Sequence, residues 1–425
     1  MMWARFRKRF GGLSSLGYRA SERTRLLLPR RKAPMRGVYQ QAVLHDTYSI
    51  RARVVQRAVR LFMQPVLRYA PITPATIRAV RALDRTSAKA PRSRYVEPIG
   101  YQLGGIRVES MTHRLGPTSD MTILYFHGGA FMSGSIDTHR RICERLARLT
   151  GANVISVDYV QLPEGAVADS VQDAMRAYEG LLAMCLEPGK IVVAGDSAGG
   201  YLTMKVAELA TRRGLQAPAA LLCFSPLLSL DPERQDKAVE RIHPVNDAYL
   251  PPKRLPKIRA LWNPEGSTIE GFASPFHASA YIDSPLFMTA VEDEMLRPEV
   301  EAMSLLLANR DVQVETHIWR KQVHAFPVLA DILPESRHAL RLAADFARIA
   351  VGELERAVPE ELSGFEPVEE RLIADEVWLD ESLAESFVDG ETLVGEIEPW
   401  EPSAEEEILD GEFKVEGRRW FHRAP

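Results

Sequence analysis

Ser197 lies at the junction between a short apolar run, residues 191–194, and a segment whose apolar residues recur at helical spacing. The run has the composition of a strand that is buried on both faces. Gly195 and Gly199 stand two positions before and after the serine, where a sharp strand-to-helix turn leaves room only for small residues. Together with Asp196, this pattern predicts a nucleophile elbow, whose strained backbone presents the serine hydroxyl at the edge of a sheet.

A serine hydroxyl becomes an effective nucleophile when a histidine accepts its proton, and the histidine needs a carboxylate to orient it. Asp293 follows the apolar run 286–291, and His324 follows the run 312–319. Both runs read as strands, so both residues are expected at strand ends beside the elbow. The order serine, acid, histidine is the one found in sheets that carry such an elbow. We therefore predict a triad of Ser197, Asp293 and His324 that transfers an acyl group.

The acid assignment has two alternatives. Glu292 and Glu294 flank Asp293, and either would take its place if the loop were shifted by one residue. His317 is the rival to His324, but it lies inside its predicted strand and points to one face of the sheet. We assign His317 a structural role. We assign no role to His45, His113, His139, His243, His277, His338 and His422.

A tetrahedral intermediate also needs hydrogen-bond donors for its oxyanion, one from the residue after the nucleophile and others from the loop after an earlier strand. The segment His127-Gly128-Gly129 follows the apolar run 121–126. We predict that the main-chain N–H groups of Gly128, Gly129 and Ala198 form the oxyanion hole. His127 is expected to brace this loop rather than to transfer protons.

Apolar runs and helical patterns alternate along the body of the chain, which predicts an α/β fold with a mostly parallel central sheet and helices on both faces. Two further helices precede the sheet, and a Gly-Gly pair marks a hairpin between its first two strands. The predicted strands are 95–101, 106–113, 121–126, 152–159, 191–194, 219–224, 286–291 and 312–319. The predicted helices are 48–69, 74–84, 137–149, 166–186, the helix after the elbow, 298–309 and 335–351. Within the first of them, Pro65 is expected to kink the helix or to end it early.

Charge is unevenly distributed along the 425 residues, although the net charge is only −4. Residues 1–40 contain eleven Lys or Arg and one Glu, whereas residues 353–425 contain twenty-three Asp or Glu and six Lys or Arg. We predict a basic N-terminal arm at 1–40, a catalytic domain at 41–357 and an acidic, mostly disordered tail at 358–425.

The basic arm also carries apolar residues at helical spacing, namely Trp3, Phe6, Phe10 and Leu13. It could contact an anionic membrane surface peripherally, and the alternatives are a solvated arm or one that packs on the acidic tail. The chain has three widely spaced cysteines and no stretch that reads as a membrane span or secretory signal. We expect a cytoplasmic protein.

The motifs at 127–130 and 195–200 resemble those of the hormone-sensitive-lipase family of α/β hydrolases, which are esterases and lipases. The resemblance covers residues 45–352 and includes 273–278 and 324–326. It implies an α/β-hydrolase fold with a helical N-terminal cap at about 45–90, to which parts of 232–270 would contribute. It also implies a serine carboxylic-ester hydrolase that acts on a small-molecule acyl ester, with no cofactor, no metal and no nucleic-acid partner.

The chain departs from the family pattern at three places. Ala130 replaces the third glycine of the His-Gly-Gly-Gly motif, and the segment 160–168 keeps only Pro163 and Glu164 of the usual sequence. The acid loop reads Asp-Glu-Met-Leu at 293–296 instead of Asp-Pro-Leu. Two alternative functions remain, acyl transfer at the same site and a non-catalytic ligand-binding or adaptor protein of the same fold.

Overall fold

The computed structural model describes residues 42–86, 93–184, 186–230, 247–262 and 268–355, and these are organised around one central sheet. The predicted arm at 1–40 and tail at 358–425 lie outside the described residues. So do 232–246 and 263–267, which belong to the second predicted contribution to the cap.

The described residues form a nine-stranded sheet in the order β1-β9-β8-β7-β6-β4-β5-β3-β2. The strands are parallel except at β3, which is antiparallel to both of its neighbours. This confirms the predicted α/β-hydrolase class. In chain order the strands are β1 Val43–His45, β2 Val96–Leu103, β3 Ile106–His113, β4 Thr122–Phe126, β5 Asn153–Val157, β6 Ile191–Asp196, β7 Ala220–Phe224, β8 Leu286–Val291 and β9 Val314–Trp319.

The α-helices fall close to their predicted positions, except for Leu255–Trp262, which lies in a segment where the sequence predicted no helix. They are α1 Ile50–Ala58, α2 Gln64–Tyr69, α3 Pro74–Asp84, α4 Ile136–Thr150, α5 Val167–Ala183, α6 Ala198–Arg212, α7 Leu255–Trp262, α8 Arg297–Ala308 and α9 Pro334–Ala350. Among the described residues, no helix is both long enough and apolar enough to cross a membrane.

Both faces of the sheet are covered by helices, which explains why the central strands read as continuous apolar runs. Every residue of β4, β6, β7 and β8 is buried. Successive residues of β4 join opposite cores, since Leu124 packs in the cluster that contains Leu202 of α6, whereas Tyr125 packs in the cluster that contains Leu340 of α9. The alternation of side chains along a strand places these two cores on the two faces.

The first strand was not predicted from the sequence. β1 is three residues long and pairs in parallel with β9 at the edge of the sheet, where Val43 and Leu44 remain 41% and 49% exposed. A strand this short has too few residues for an alternating pattern to be recognised. It holds the start of the described chain beside the strand that leads to His324.

The two helices predicted before the sheet are present, but the first is modified where Pro65 lies. A π-helical segment, Val59–Met63, joins α1 to α2, so the helical path continues to Tyr69 rather than ending early at the proline. Pro65 occupies one of the first two positions of α2, where its missing N–H is tolerated. That these helices form a cap over the active site stays a prediction.

Parallel pairing brings the functional segments to one edge of the sheet. Phe126 at the end of β4 is paired with Gly195 of β6, and Val291 at the end of β8 is paired with Trp319 at the end of β9. The loops that follow these strands therefore start at the same edge, which is where an open α/β sheet usually binds ligands.

Candidate active site

Ser197 stands between β6 and α6 in a backbone conformation that is unusual for a residue with a side chain. Its φ is 52° and its ψ is −116°, which matches the strained elbow predicted from the sequence. A Cβ on Gly199 would collide with the carbonyl oxygen of Phe126, and one on Gly195 would collide with the main chain of Gly199. The two glycines are therefore required by the close approach of strand and helix.

The serine hydroxyl faces a histidine on the neighbouring loop. Ser197 Oγ lies 2.8 Å from His324 Nε2, and His324 is only 9% exposed. The loop that carries this histidine is held to the strand ends, because Ala325 N donates to Ser225 Oγ at 3.2 Å and Ser225 N donates to Thr289 O at 2.8 Å. The predicted pair of Ser197 and His324 is thus assembled.

The carboxylate beside the histidine is that of Glu294. Its Oε2 lies 3.0 Å from His324 Nδ1, while its Oε1 accepts a hydrogen bond of 3.0 Å from Val291 N. Asp293 instead lies 3.4 Å from Lys321 Nζ. The prediction that Asp293 contacts His324 is therefore wrong, and the alternative one residue later has the geometry of the triad acid.

The reason for this shift is the tight turn after β8. Glu294 N donates to Val291 O at 3.2 Å, which folds the chain back so that Glu294, 2% exposed, points into the site. Asp293 and Glu292 are placed on the outer side of the turn, where Glu292 accepts a hydrogen bond of 2.8 Å from Arg320 Nε. The sequence left the register open because all three residues are acidic.

The electrostatic environment favours a charged His324. Burial opposes the imidazolium, but the hydrogen bond and charge of Glu294, with the charges of Asp247 and Asp196, outweigh it and raise the pKa of His324 above its usual 6.5. A histidine with this environment can receive a proton from Ser197 and hold it while Glu294 stabilises the positive charge.

The loop after β4 is arranged differently from the prediction at one residue. Gly128 N donates to Asp196 Oδ1 at 3.1 Å, so this N–H is not free to bind an oxyanion. Among the described residues, none accepts a hydrogen bond from the N–H groups of Gly129, Ala130 or Ala198. Gly128 is therefore replaced by Ala130 in the set of candidate donors.

Ala130 lies in the left-handed region, with φ of 53°, in the motif position where the resembled family has glycine. Its carbonyl oxygen accepts a hydrogen bond of 2.9 Å from Trp262 Nε1 of α7, and the Trp262 ring meets Phe131 edge-on at 6.0 Å. These contacts hold the loop in a conformation that an alanine seldom adopts. Sequence reasoning missed Trp262, whose partner lies 132 positions away.

His127 is fully buried and has the contacts of a bracing residue. Its Nδ1 lies 2.8 Å from Gly128 O, and its Nε2 lies 3.1 Å from Gln161 Nε2. Burial first, and then the charge of His139, lower the pKa of His127 to about 3. The imidazole is therefore neutral, with Nδ1–H donating to Gly128 O and Nε2 accepting from Gln161.

Asp196 connects the elbow to the oxyanion loop. The residue is 2% exposed, and its carboxylate accepts hydrogen bonds from Tyr125 Oη at 2.7 Å and from Gly128 N at 3.1 Å. His139 Nε2 lies 3.4 Å from Asp196 Oδ2. Burial would raise the pKa of Asp196, but His139 and Tyr125 outweigh it and lower the value. His139 was assigned no role from the sequence, because its partner is distant in the chain.

Comparison with known proteins places this chain among ester hydrolases. A family model described as the alpha/beta hydrolase fold matches residues 123–328. Esterase LipU of Mycobacterium tuberculosis is 30% identical over 285 residues, which are 65% of this chain and 88% of LipU. An acetyl-hydrolase of Streptomyces hygroscopicus is 29% identical over 232 residues, which are 55% of this chain and 77% of that protein.

Solved structures agree with the sequence relatives. An esterase from the bacterial hormone-sensitive lipase family, known from its crystal structure, is 26% identical to this chain. The two structures superpose with a TM-score of 0.62, and the match covers 72% of this chain and 100% of the esterase. A mutant of the esterase E40 is likewise 26% identical, with a TM-score of 0.63 over the same shares of the two chains.

Proposed function

This chain belongs to the hormone-sensitive-lipase family of α/β hydrolases and is a carboxylic ester hydrolase, and we propose that it acts through Ser197, His324 and Glu294 by way of an acyl-enzyme. The observation that carries the proposal is a line of two hydrogen-bonding contacts. Ser197 Oγ lies 2.8 Å from His324 Nε2, and His324 Nδ1 lies 3.0 Å from Glu294 Oε2. This is the arrangement that a serine nucleophile requires.

The first half of the reaction acylates the serine. Ser197 Oγ attacks the carbonyl carbon of the ester while His324 Nε2 accepts the hydroxyl proton. The tetrahedral intermediate places its oxyanion near the N–H groups of Gly129, Ala130 and Ala198. When the intermediate collapses, the bond to the alcohol oxygen breaks, and His324 gives its proton to the leaving alcohol.

The second half regenerates the enzyme. Water attacks the acyl carbon of the Ser197 ester while His324 Nε2 accepts one of its protons. The second intermediate collapses, the carboxylic acid leaves, and the proton returns to Ser197 Oγ. Glu294 stabilises the imidazolium that forms twice in each cycle.

Two features support electrostatic stabilisation of the oxyanion. Ala198 N is the first main-chain donor of the 15-residue helix α6, so the positive end of the helix dipole points at this position. The donors at Gly129 and Ala130 are held in place before substrate binds, because Trp262 fixes the Ala130 carbonyl. Donors that are already oriented contribute more to catalysis than donors that must reorganise.

The proposed substrates are small acyl esters, and short acyl chains are the first to test because one relative is named an acetyl-hydrolase. We would measure hydrolysis of p-nitrophenyl acetate, butyrate and octanoate by the full chain. Ser197→Ala should lower kcat by on the order of 10⁴-fold or more. Ser304→Ala, on α8, is the matched control and should keep the activity of the unaltered chain.

A fluorophosphonate probe, mapped by peptide mass, should label Ser197 and no other serine. Turnover that survives Ser197→Ala, or a label on a different residue, would contradict the proposal. An added alcohol distinguishes the alternative of acyl transfer, because a transferase would form a new ester rather than the free acid.

A further inference from the structure

We propose that Asp247 is a positioning residue for the triad, which fixes both the ring stacked on His324 and the main chain beside Glu294. The inference rests on the proposed function, since it concerns the same site. Asp247 belongs to the segment 247–250, which contains no residue that the sequence analysis singled out.

The carboxylate of Asp247 is buried, with 2% of the residue exposed. Its Oδ1 accepts hydrogen bonds of 2.8 Å from Tyr249 N and of 2.8 Å from Leu250 N. Its Oδ2 accepts a hydrogen bond of 3.0 Å from Met295 N. Three main-chain donors from two segments of the chain therefore converge on one carboxylate.

Two of these three contacts, those to Tyr249 and Met295, involve residues that adjoin the triad. The ring of Tyr249 stacks on the imidazole of His324, with 5.7 Å between ring centroids and an angle of 25° between the planes. Met295 follows Glu294 in the chain, so the bond to Met295 N fixes the main chain from which the Glu294 side chain extends. Asp247 thus restrains the histidine from one side and its acid partner from another.

The same residue is joined to the helices that precede the sheet. Gln64 Nε2 of α2 donates to the main-chain oxygen of Asp247 at 2.6 Å. Ala248 packs in a cluster with Val291 and Trp319, the last residues of β8 and β9. The segment 247–250 therefore connects α2 to the strand ends that carry Glu294 and His324.

Asp247 also acts on His324 through its charge. The charged groups that face His324 are Glu294 from the loop after β8, Asp196 from β6 and Asp247, and each of them raises the pKa of the histidine. Burial raises the pKa of Asp247 itself to about 6, although its three main-chain donors and His324 oppose the shift. Near neutral pH the carboxylate is ionised and favours the imidazolium.

A role limited to packing would not change the titration of His324, and this difference provides the test. Asp247→Asn keeps the shape of the side chain but removes the charge and places an NH₂ group opposite one of the main-chain donors. We expect kcat to fall by roughly 10- to 100-fold, as a displaced catalytic group allows, with KM changed by less than about threefold. The acid limb of kcat/KM should move to lower pH.

Glu144→Gln is the matched control, because Glu144 is also buried and accepts a main-chain hydrogen bond, from Ser93 N at 3.1 Å. It lies on α4 away from the triad and should leave the pH profile in place. All variants are full-length and are assayed with p-nitrophenyl butyrate in one buffer series of constant ionic strength. If Asp247→Asn does not fold, Asp247→Ser is assayed instead and the same changes in kcat and in the acid limb are expected. The serine hydroxyl can still accept a hydrogen bond from Tyr249 N.

An Asp247 variant whose acid limb does not move overturns the inference, whether or not kcat falls, because a loss of packing alone would then explain any change in kcat. The inference is also overturned if Glu144→Gln shows the same losses, because these would then follow from removing any buried carboxylate. The proposed function is judged separately in the same assay. An unaltered chain without Ser197-dependent turnover contradicts the function, whereas an active chain with an indifferent Asp247 contradicts the inference alone.

Discussion

His324 directs its Nδ1 toward Glu294, at 3.0 Å from Oε2, and not toward the neighbouring carboxylate of Asp293. Asp293 faces the half-exposed Lys321 instead. The two acids are adjacent in sequence but have different environments. Glu294 is 2% exposed, whereas the side chain of Asp293 is 21% exposed. Because the tight turn after β8 sets this difference, the two residues should respond very differently to the same chemical change.

The first prediction compares two variants, in each of which one of the two carboxylates is replaced by its amide. Glu294→Gln should lower kcat by about 10²- to 10⁴-fold, because the amide neither stabilises the imidazolium nor fixes the tautomer of His324. Asp293→Asn should change kcat by less than about threefold, because a partly exposed ion pair contributes little. Steady-state kinetics of both variants with one p-nitrophenyl ester decide the matter. Equal losses in the two variants would mean that the turn adopts another register in solution.

A second prediction concerns the pH dependence of hydrolysis. His324 serves as a base only when neutral, so the rate is lost as the pH falls through its pKa. Burial lowers that pKa, but Glu294, Asp247 and Asp196 together raise it by more than burial lowers it. The acid limb of kcat/KM should therefore have its midpoint above about 6.5, the usual value for histidine. In Glu294→Gln the residual activity should have its limb at lower pH than in the unaltered chain. A limb below this value in the unaltered chain would contradict the assigned environment.

The elbow and the mostly parallel sheet were predictable because they depend on local pattern. A buried run, two flanking glycines and a helical segment fix the conformation of Ser197 without reference to the rest of the chain. Alternating strands and helices likewise limit the sheet to few topologies. His324 followed from its position after the last strand.

The errors arose where the direction of a group depends on a turn or on a distant partner. The direction of Glu294 depends on one main-chain hydrogen bond in the turn after β8, which composition does not reveal. Gly128 was taken as a donor because all loop glycines look alike in sequence, and its N–H is directed to Asp196 only in the folded chain. Gln161 and Asp247 act on residues that are far away in sequence, so no local pattern marks them.

A third prediction concerns stability and the buried pair of His139 and Asp196. Burial lowers the pKa of His139, but Asp196 outweighs it and raises the value in the folded state. A raised histidine pKa contributes stability that is fully present below the unfolded value of about 6.5 and is lost as the pH rises through the folded pKa. His139→Gln should therefore lower Tm most near pH 6 and progressively less toward about pH 9.

Thermal unfolding followed across this pH range provides the measurement, with the unaltered chain and His139→Gln compared at each pH. Asp196 has a lowered pKa, so its own contribution is present above about pH 4 and is lost only as the pH falls further. It therefore does not distort the comparison above that pH. A difference in Tm that stays constant from about pH 6 to 9 would show that the two side chains do not share a charge interaction.

The last prediction tests the close packing on which the elbow depends. A Cβ at position 199 would collide with the carbonyl oxygen of Phe126, at the end of the neighbouring strand β4. Since backbone cannot yield as a side chain does, Gly199→Ala should lower the free energy of unfolding by about 3 kcal/mol or more and displace Ser197. Gly189→Ala is the control, because a Cβ there has no atom within 4 Å. Chemical denaturation and ester turnover should show both losses in Gly199→Ala and neither in Gly189→Ala, and equal behaviour of the two variants would mean that strand and helix are further apart than the structure has them.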